Sequence, residues 1–203
     1  MQINPTTLAP GELYQHMIRL VTPRPIAWVS TMSNDGVANL APFSYFSAVG
    51  SNPPTLMFCP ANRPDGTRKD SLANIEQNGE FVVNIVPFEL AEAMNQCGAP
   101  YDAAVDEFEV VGLTAAESTQ IRPPRVAEAP ASFECVLHTA LSLGTGPGGA
   151  NLVVGQIVAI HIDDDVLDEK GRADPARLDT IGRMGGISYT RTTDRFDLER
   201  ARV

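Results

Sequence analysis

Two long apolar runs, Ser132–Leu143 and Leu152–Ile162, constrain this chain more than anything else in it. The stretch from Asn151 to Ile160 is rich in β-branched side chains and has no helical stripe, so it reads as a strand. Between the runs, Gly144, Gly146 and Gly149 satisfy G-x-G-x-x-G, a spacing that lets a backbone turn approach a pyrophosphate. That fingerprint works only where a helix follows, because the helix N-terminus meets the phosphates. A β run follows here instead. The glycines therefore read as a hairpin loop between two strands, and a dinucleotide fold is set aside.

The rest of the chain fits the same style. Glu12–Val21 reads as a short helix with Leu13, Met17, Leu20 and Val21 on one face, stopped by Pro23 and Pro25. Pro25–Met32 is β-prone, Ser33-Asn34-Asp35-Gly36 carries hairpin-turn chemistry, and Val37–Ala41 is the expected returning strand. Ser44–Gly50 and Thr55–Cys59 follow, separated by Pro53-Pro54. After a polar loop over Pro60–Lys69, Asp70 suits the N-cap of a helix that buries Leu72 and Ile75 and stops at Asn78-Gly79. Glu80–Val86 is a further strand, and Pro87 suits the first turn of a helix running to about Asn95. Residues 98–131 read as irregular with one short strand. Strands outnumber helices and short turns join them, which predicts a mainly β fold with peripheral helices, built on an antiparallel barrel. The 203 residues suffice for a single domain.

Charge excludes some functions. Lys plus Arg is 15 against 25 Asp plus Glu, a formal net charge of −10, whereas nucleic acid and anionic membrane surfaces want a basic face. No apolar stretch approaches the roughly 18–20 residues that span a bilayer, and the first residues lack a signal peptide's pattern. The three cysteines form no CxxC pair, and the three histidines lack metal-ligand spacing. A cytoplasmic protein without a metal site is expected.

Three stretches could carry chemistry. Thr22–Thr31 stiffens Arg24 between prolines and then presents Trp28, Ser30 and Thr31. In Asn39–Phe46, Pro42 cannot donate to a ladder, so an interruption is expected that frees backbone groups for a ligand, with Phe43, Tyr45 and Phe46 as aromatic surface. Arg63–Ser71 places three basic residues within seven positions beside hydroxyls at a helix start, the groups a phosphate dianion wants.

In this order the stretches resemble the flavin reductase-like family, whose fold is the FMN-binding split barrel of antiparallel Greek-key type. Arg24-Pro-Ile-Ala-Trp-Val-Ser-Thr31 is similar to its first barrel strand, and Asn39-Leu-Ala-Pro-Phe-Ser-Tyr-Phe46 to its flavin-cradling segment. Asp65–Ser71, Gly79–Val86 and Ile181-Gly-Arg-Met-Gly-Gly-Ile-Ser-Tyr189 match as well, so the resemblance covers about residues 12 to 190. It implies non-covalent FMN near the interface of a homodimer. Trp28, Ser30 and Thr31 would lie beside the flavin, and Ala41, Pro42, Phe43 and Ser44 would border it. Thr67, Lys69 and Ser71 would hold the phosphate, and Arg183 would sit near the cofactor or the partner subunit's wall. NAD(P)H would reduce the flavin, which would pass electrons to oxygen, a second flavin or a partner such as a monooxygenase. The implied activity is an NAD(P)H-dependent flavin reductase. An FMN-binding electron carrier or flavin-storage protein without NAD(P)H activity shares every motif, so the residues leave both open, and they name no catalytic side chain.

Overall fold

The structure, a computed structural model, describes residues 1–201. Its elements in chain order are α1 (Pro10–Leu20), β1 (Ala27–Met32), β2 (Ala38–Phe43), β3 (Phe46–Ser51), β4 (Pro54–Phe58), α2 (Asp70–Asn78) and β5 (Glu80–Ile85). A 3-10 turn over Phe88–Leu90 leads into α3 (Ala91–Gln96), followed by α4 (Glu107–Val111), β6 (Ala115–Ala116) and β7 (Arg125–Val126). The long strands β8 (Ala131–Ser142) and β9 (Asn151–Ile162) come next, then α5 (Pro175–Leu178), β10 (Ile181–Gly185) and β11 (Ser188–Arg191).

Seven strands form one sheet in the order β2-β1-β5-β8-β9-β4-β3, antiparallel throughout. β8 and β9 pair along their whole length, from Ala131↔Ile162 to Ser142↔Asn151, so the glycine stretch between them is the hairpin loop its sequence suggests. The sheet's edges, β2 and β3, are separated in the chain only by Ser44 and Tyr45. The sheet curls into a barrel split between these edges. Its interior packs Ala27, Val29, Phe43, Leu56, Phe58, Phe81, Val83, Cys135 and Val153, and α2 closes it with Leu72 and Ile75. A second core on the outer face packs Trp28, Leu40, Val86, Met94, Phe108 and Val126. β1 is thus covered on both sides, which is why its sequence shows no polar alternation.

Several local expectations need correction. β2 runs on through Pro42 in register with β1 (Trp28↔Pro42, Ala27↔Phe43), because β2 is an edge strand, where a proline's missing N–H can face away from the ladder. Asp70 does not cap α2; Lys69 holds the cap position, and the Asp70 carboxylate pairs with Arg63 instead. The helix does stop at Asn78, where Gly79 turns left-handed at φ 72° and its N–H reaches the Ile75 carbonyl. α1 buries only Ile18, and Met17, Leu20 and Val21 stay exposed. Residues 98–131 hold α4 and a two-stranded ladder rather than one short strand.

Arg24 explains how α1 is fastened. Its buried guanidinium donates to the Ile18 carbonyl at 2.6 Å and the Val21 carbonyl at 2.8 Å, two groups left open at a helix C-terminus. It also donates to Ser44 Oγ at 3.3 Å, and its backbone exchanges hydrogen bonds with Arg183 at 3.0 and 2.8 Å. One residue, through its guanidinium and its backbone, thereby ties α1, the split in the barrel and the β10–β11 hairpin together.

Candidate functional site

Two adjoining cavities open beside β2. The first, of about 270 Å³, lies between the β2 residues Asn39, Ala41 and Pro42, the start of α2 at Lys69, Asp70 and Ser71, the segment 97–101, and Glu107 of α4. The second, of about 360 Å³, lies between Pro42, Phe43 and Ser44, Tyr14 of α1, Met94 and Asn95 of α3, and Arg183 with Tyr189 of the β10–β11 hairpin. Pro42, Lys69 and Gly98 line both. Ala41, Pro42, Phe43, Ser44, Lys69, Ser71 and Arg183 are thus brought to one continuous region from stretches far apart in the chain.

The other residues singled out by sequence lie elsewhere. Trp28, Ser30 and Thr31 have no exposure and line neither cavity. The Ser30 hydroxyl donates to the Pro124 carbonyl, and Thr31 Oγ1 accepts from Asn74 Nδ2 at 3.0 Å. Thr67 is exposed, and its hydroxyl and N–H are both spent on Asp65 Oδ1, at 2.6 and 2.8 Å.

The start of α2 has unusual electrostatics. Among the described residues no side chain caps it, so its first N–H groups lack the acceptor that an N-cap normally supplies. Lys69 is half-buried and forms no ion pair among the described residues; its ammonium lies 5.3 Å above the Phe43 ring. Burial, and secondarily the Arg63 charge, pushes its pKa down, with Asp70 opposing. Among the described residues no carboxylate lines the second cavity, whose other cation, Arg183, stacks 4.5 Å from the Tyr189 ring and donates to the Gly186 carbonyl at 2.8 Å. A region with the uncapped helix start in one cavity, Arg183 in the other, Lys69 shared by both and Pro42 and Phe43 as apolar wall is suited to a ligand part anion and part flat apolar ring.

Glu107 was not visible as a site residue in the sequence. It comes from the stretch that read as irregular, and it meets Asn39 at a separation of 68 residues. A local signal for its helix does exist: Asp106 accepts from the Phe108 N–H at 2.9 Å and Gly112 ends the turn left-handed at φ 68°, a capped single turn.

Comparison with known proteins agrees with this architecture. A protein of Aquifex aeolicus is 40% identical over 179 residues, covering 88% of this chain and 89% of that protein. Nitrilotriacetate monooxygenase component B from Bacillus cereus superposes with a TM-score of 0.92 at 34% identity, over 98% of each chain. Pseudomonas fluorescens 2-nitrobenzoate 2-nitroreductase superposes with a TM-score of 0.87 at 34% identity, over 99% of this chain and 96% of that one. The profile of the flavin reductase like domain matches residues 18–180, and on that match the chain belongs to the flavin reductase-like family of split-barrel proteins.

Proposed function

We propose that this protein is an FMN-binding oxidoreductase, a flavin reductase drawing on NAD(P)H, and that the two adjoining cavities hold the cofactor. The observation that carries the reading is the uncapped start of α2, with Lys69 unpaired beside it, opening onto the apolar wall of Pro42 and Phe43. When bound, FMN supplies the redox chemistry, accepting electrons from a nicotinamide and passing them on. The chain's own part is binding and electrostatics. The α2 N–H groups and Lys69 hold the phosphate, Ala41–Ser44 flank the ring, and Lys69 with Arg183 favours negative charge on it. The name of the Bacillus cereus protein, one component of a monooxygenase, supports a partner that consumes the electrons.

Anaerobic spectra of the FMN-loaded protein test the reading. Bleaching by NADH or NADPH is expected; bands that persist with both would make the protein an electron carrier, and failure to bind FMN would overturn the assignment. Lys69→Ala should weaken FMN by about tenfold to a hundredfold, the worth of one charge-assisted contact, read by quenching of flavin fluorescence. Unchanged affinity would remove Lys69 from the site.

A homodimer is part of this reading. Val158, Ile160 and Ile162 share one exposed face of β9, and Met17 and Leu20 are exposed on α1; Ile160 is 54% and Leu20 81% exposed. Sedimentation at micromolar concentration should find two copies, and a monomer would refute it. The free thiols of Cys59, Cys97 and Cys135 suit the reducing cytoplasm.

A further inference from the structure

Glu107 is only 5% exposed, yet it forms no ion pair among the described residues. Its Oε1 accepts from Asn39 Nδ2 at 2.8 Å and its Oε2 from the Leu40 N–H at 2.9 Å. An ionised carboxylate only accepts, so it dictates the direction of every hydrogen bond behind it. The Asn39 amide must turn its NH2 to Glu107 and its Oδ1 towards α2. That oxygen takes the Ser71 hydroxyl proton at 2.8 Å and, more weakly, that of Thr31 at 3.4 Å. Asn74 Nδ2 feeds Thr31 in turn at 3.0 Å. All these donors point towards Glu107.

The consequence falls on the first cavity, which both Glu107 and Ser71 line. With Glu107 ionised, the Ser71 proton is spent on Asn39, and an anion at the α2 start meets an oxygen lone pair and a nearby like charge. With Glu107 protonated on Oε1, that hydroxyl can donate to the Asn39 oxygen once the amide has turned over. Asn39 Nδ2 then donates to Ser71 Oγ, the Ser71 proton is released to the cavity, and the Thr31 hydroxyl gives up its weak 3.4 Å bond to Asn39 while still accepting from Asn74. Oε2 keeps the Leu40 N–H throughout.

We propose that the protein takes up one proton from solvent at Glu107 when a phosphate-bearing ligand enters this cavity, reversing the chain so that Ser71 donates to the phosphate. This rests on the reading of the α2 start as a phosphate site and adds to it a proton linkage and a positioning residue. The other groups facing Glu107 do not remove the need for the proton. Asp106 on its own helix adds negative charge, and Asp70 is engaged by Arg63. Arg63 and Lys69 line the cavity without pairing to it, while Cys97 and Tyr101 complete its wall. Burial favours the neutral acid, although the Leu40 and Asn39 donors pull the other way.

The test compares FMN with riboflavin, which lacks the phosphate, at about pH 8, well above the phosphate's own second ionisation at about 6. Calorimetry of the unaltered protein in two buffers of different ionisation enthalpy should show net proton uptake with FMN and none with riboflavin. Glu107→Gln, which can adopt the reversed pattern without a proton, should bind FMN at least about tenfold more tightly than the parent protein at this pH, because the parent alone must protonate a carboxyl, at a cost of about tenfold for each unit by which the pH exceeds its pKa. Its riboflavin affinity should stay within about twofold. Adding Ser71→Ala to Glu107→Gln should erase part of the gain. Absence of proton uptake would overturn the proposal, as would a folded Glu107→Gln protein with no FMN gain. Should the parent protein bind FMN no better than riboflavin, the phosphate site itself fails and the linkage falls with it; an FMN preference without proton uptake sinks the linkage alone.

Discussion

Replacing Gly155 by alanine is expected to remove about 3 kcal/mol from the stability of the fold. A Cβ at this position would lie 2.3 Å from Phe81 Cζ, 2.9 Å from its Cε1 and 3.1 Å from Cys135 Cβ. Real contacts do not come that close, so the ring would have to move. It has nowhere to go: Phe81 is fully buried and packs edge-on to Phe58, at 5.5 Å between ring centroids and 61° between planes. Phe58 packs against Phe43 at 5.1 Å, and Phe43 is a wall of the second cavity. Backbone freedom is not why glycine stands here, since its φ is not positive; the missing Cβ is filled by the ring. Urea unfolding should show a lower midpoint at unchanged slope. Combining Gly155→Ala with Phe81→Leu should cost less than the sum of the two single changes, because the smaller side chain vacates the clash. A loss below about 1 kcal/mol would mean that Phe81 repacks freely. The row Phe81–Phe58–Phe43 also predicts that the single variant weakens ligand binding at a cavity it does not touch.

The same residues show where sequence reasoning succeeds and where it stops. The β8–β9 hairpin was legible because a long β pattern on both sides overrode the glycine motif between them. The Ala41–Ser44, Lys69 and Ser71 cluster was legible because each short stretch carries the composition that an aromatic ring or an anion demands. Direction was not legible. Ser30 and Thr31 point to opposite faces of the strand as any two successive residues do, and only the covering of β1 on both faces reveals that neither meets solvent. The α1 stripe looked inward by spacing, but which face is covered depends on what packs against the helix; α1 lies against β10, and the residue it buries is Ile18. Asp70 suited an N-cap by identity, and only Arg63, positioned by its loop, draws the carboxylate away. Glu107 was out of reach for the same reason as Gly155: its partners are set by topology, across 67 and 68 residues.

Glu134 provides the second large effect, and it carries a pH signature. The residue has no exposure, yet its carboxylate accepts from the Thr119 N–H at 2.7 Å, the Thr119 hydroxyl at 3.0 Å and the Gln120 N–H at 2.7 Å, and it meets His161 Nε2 at 2.5 Å. Burial pushes its pKa up, but the Thr119, Gln120 and His161 hydrogen bonds together outweigh that and leave it lower than an ordinary glutamate. The folded carboxyl therefore binds its proton less tightly than the unfolded one. Its contribution is complete above the unfolded value of about 4.3 and drains away as pH falls through the lower folded value. Glu134→Gln should lose on the order of 3 kcal/mol at neutral pH, because the new NH2 faces donors and one of them goes unsatisfied. The same variant should lose less further stability than the parent protein between about pH 4.5 and 3, since the group that titrates there is gone. Parallel stability–pH curves for the two proteins would refute the role. The damage should also be local. Glu134 holds the segment that delivers the Pro124 carbonyl to Ser30 and the Val126 N–H to Asn84 Oδ1, at 2.9 Å for the latter. Amide exchange should therefore accelerate first over residues 115–126, the cover over the outer face of β1 and over Trp28, before it rises in the barrel itself.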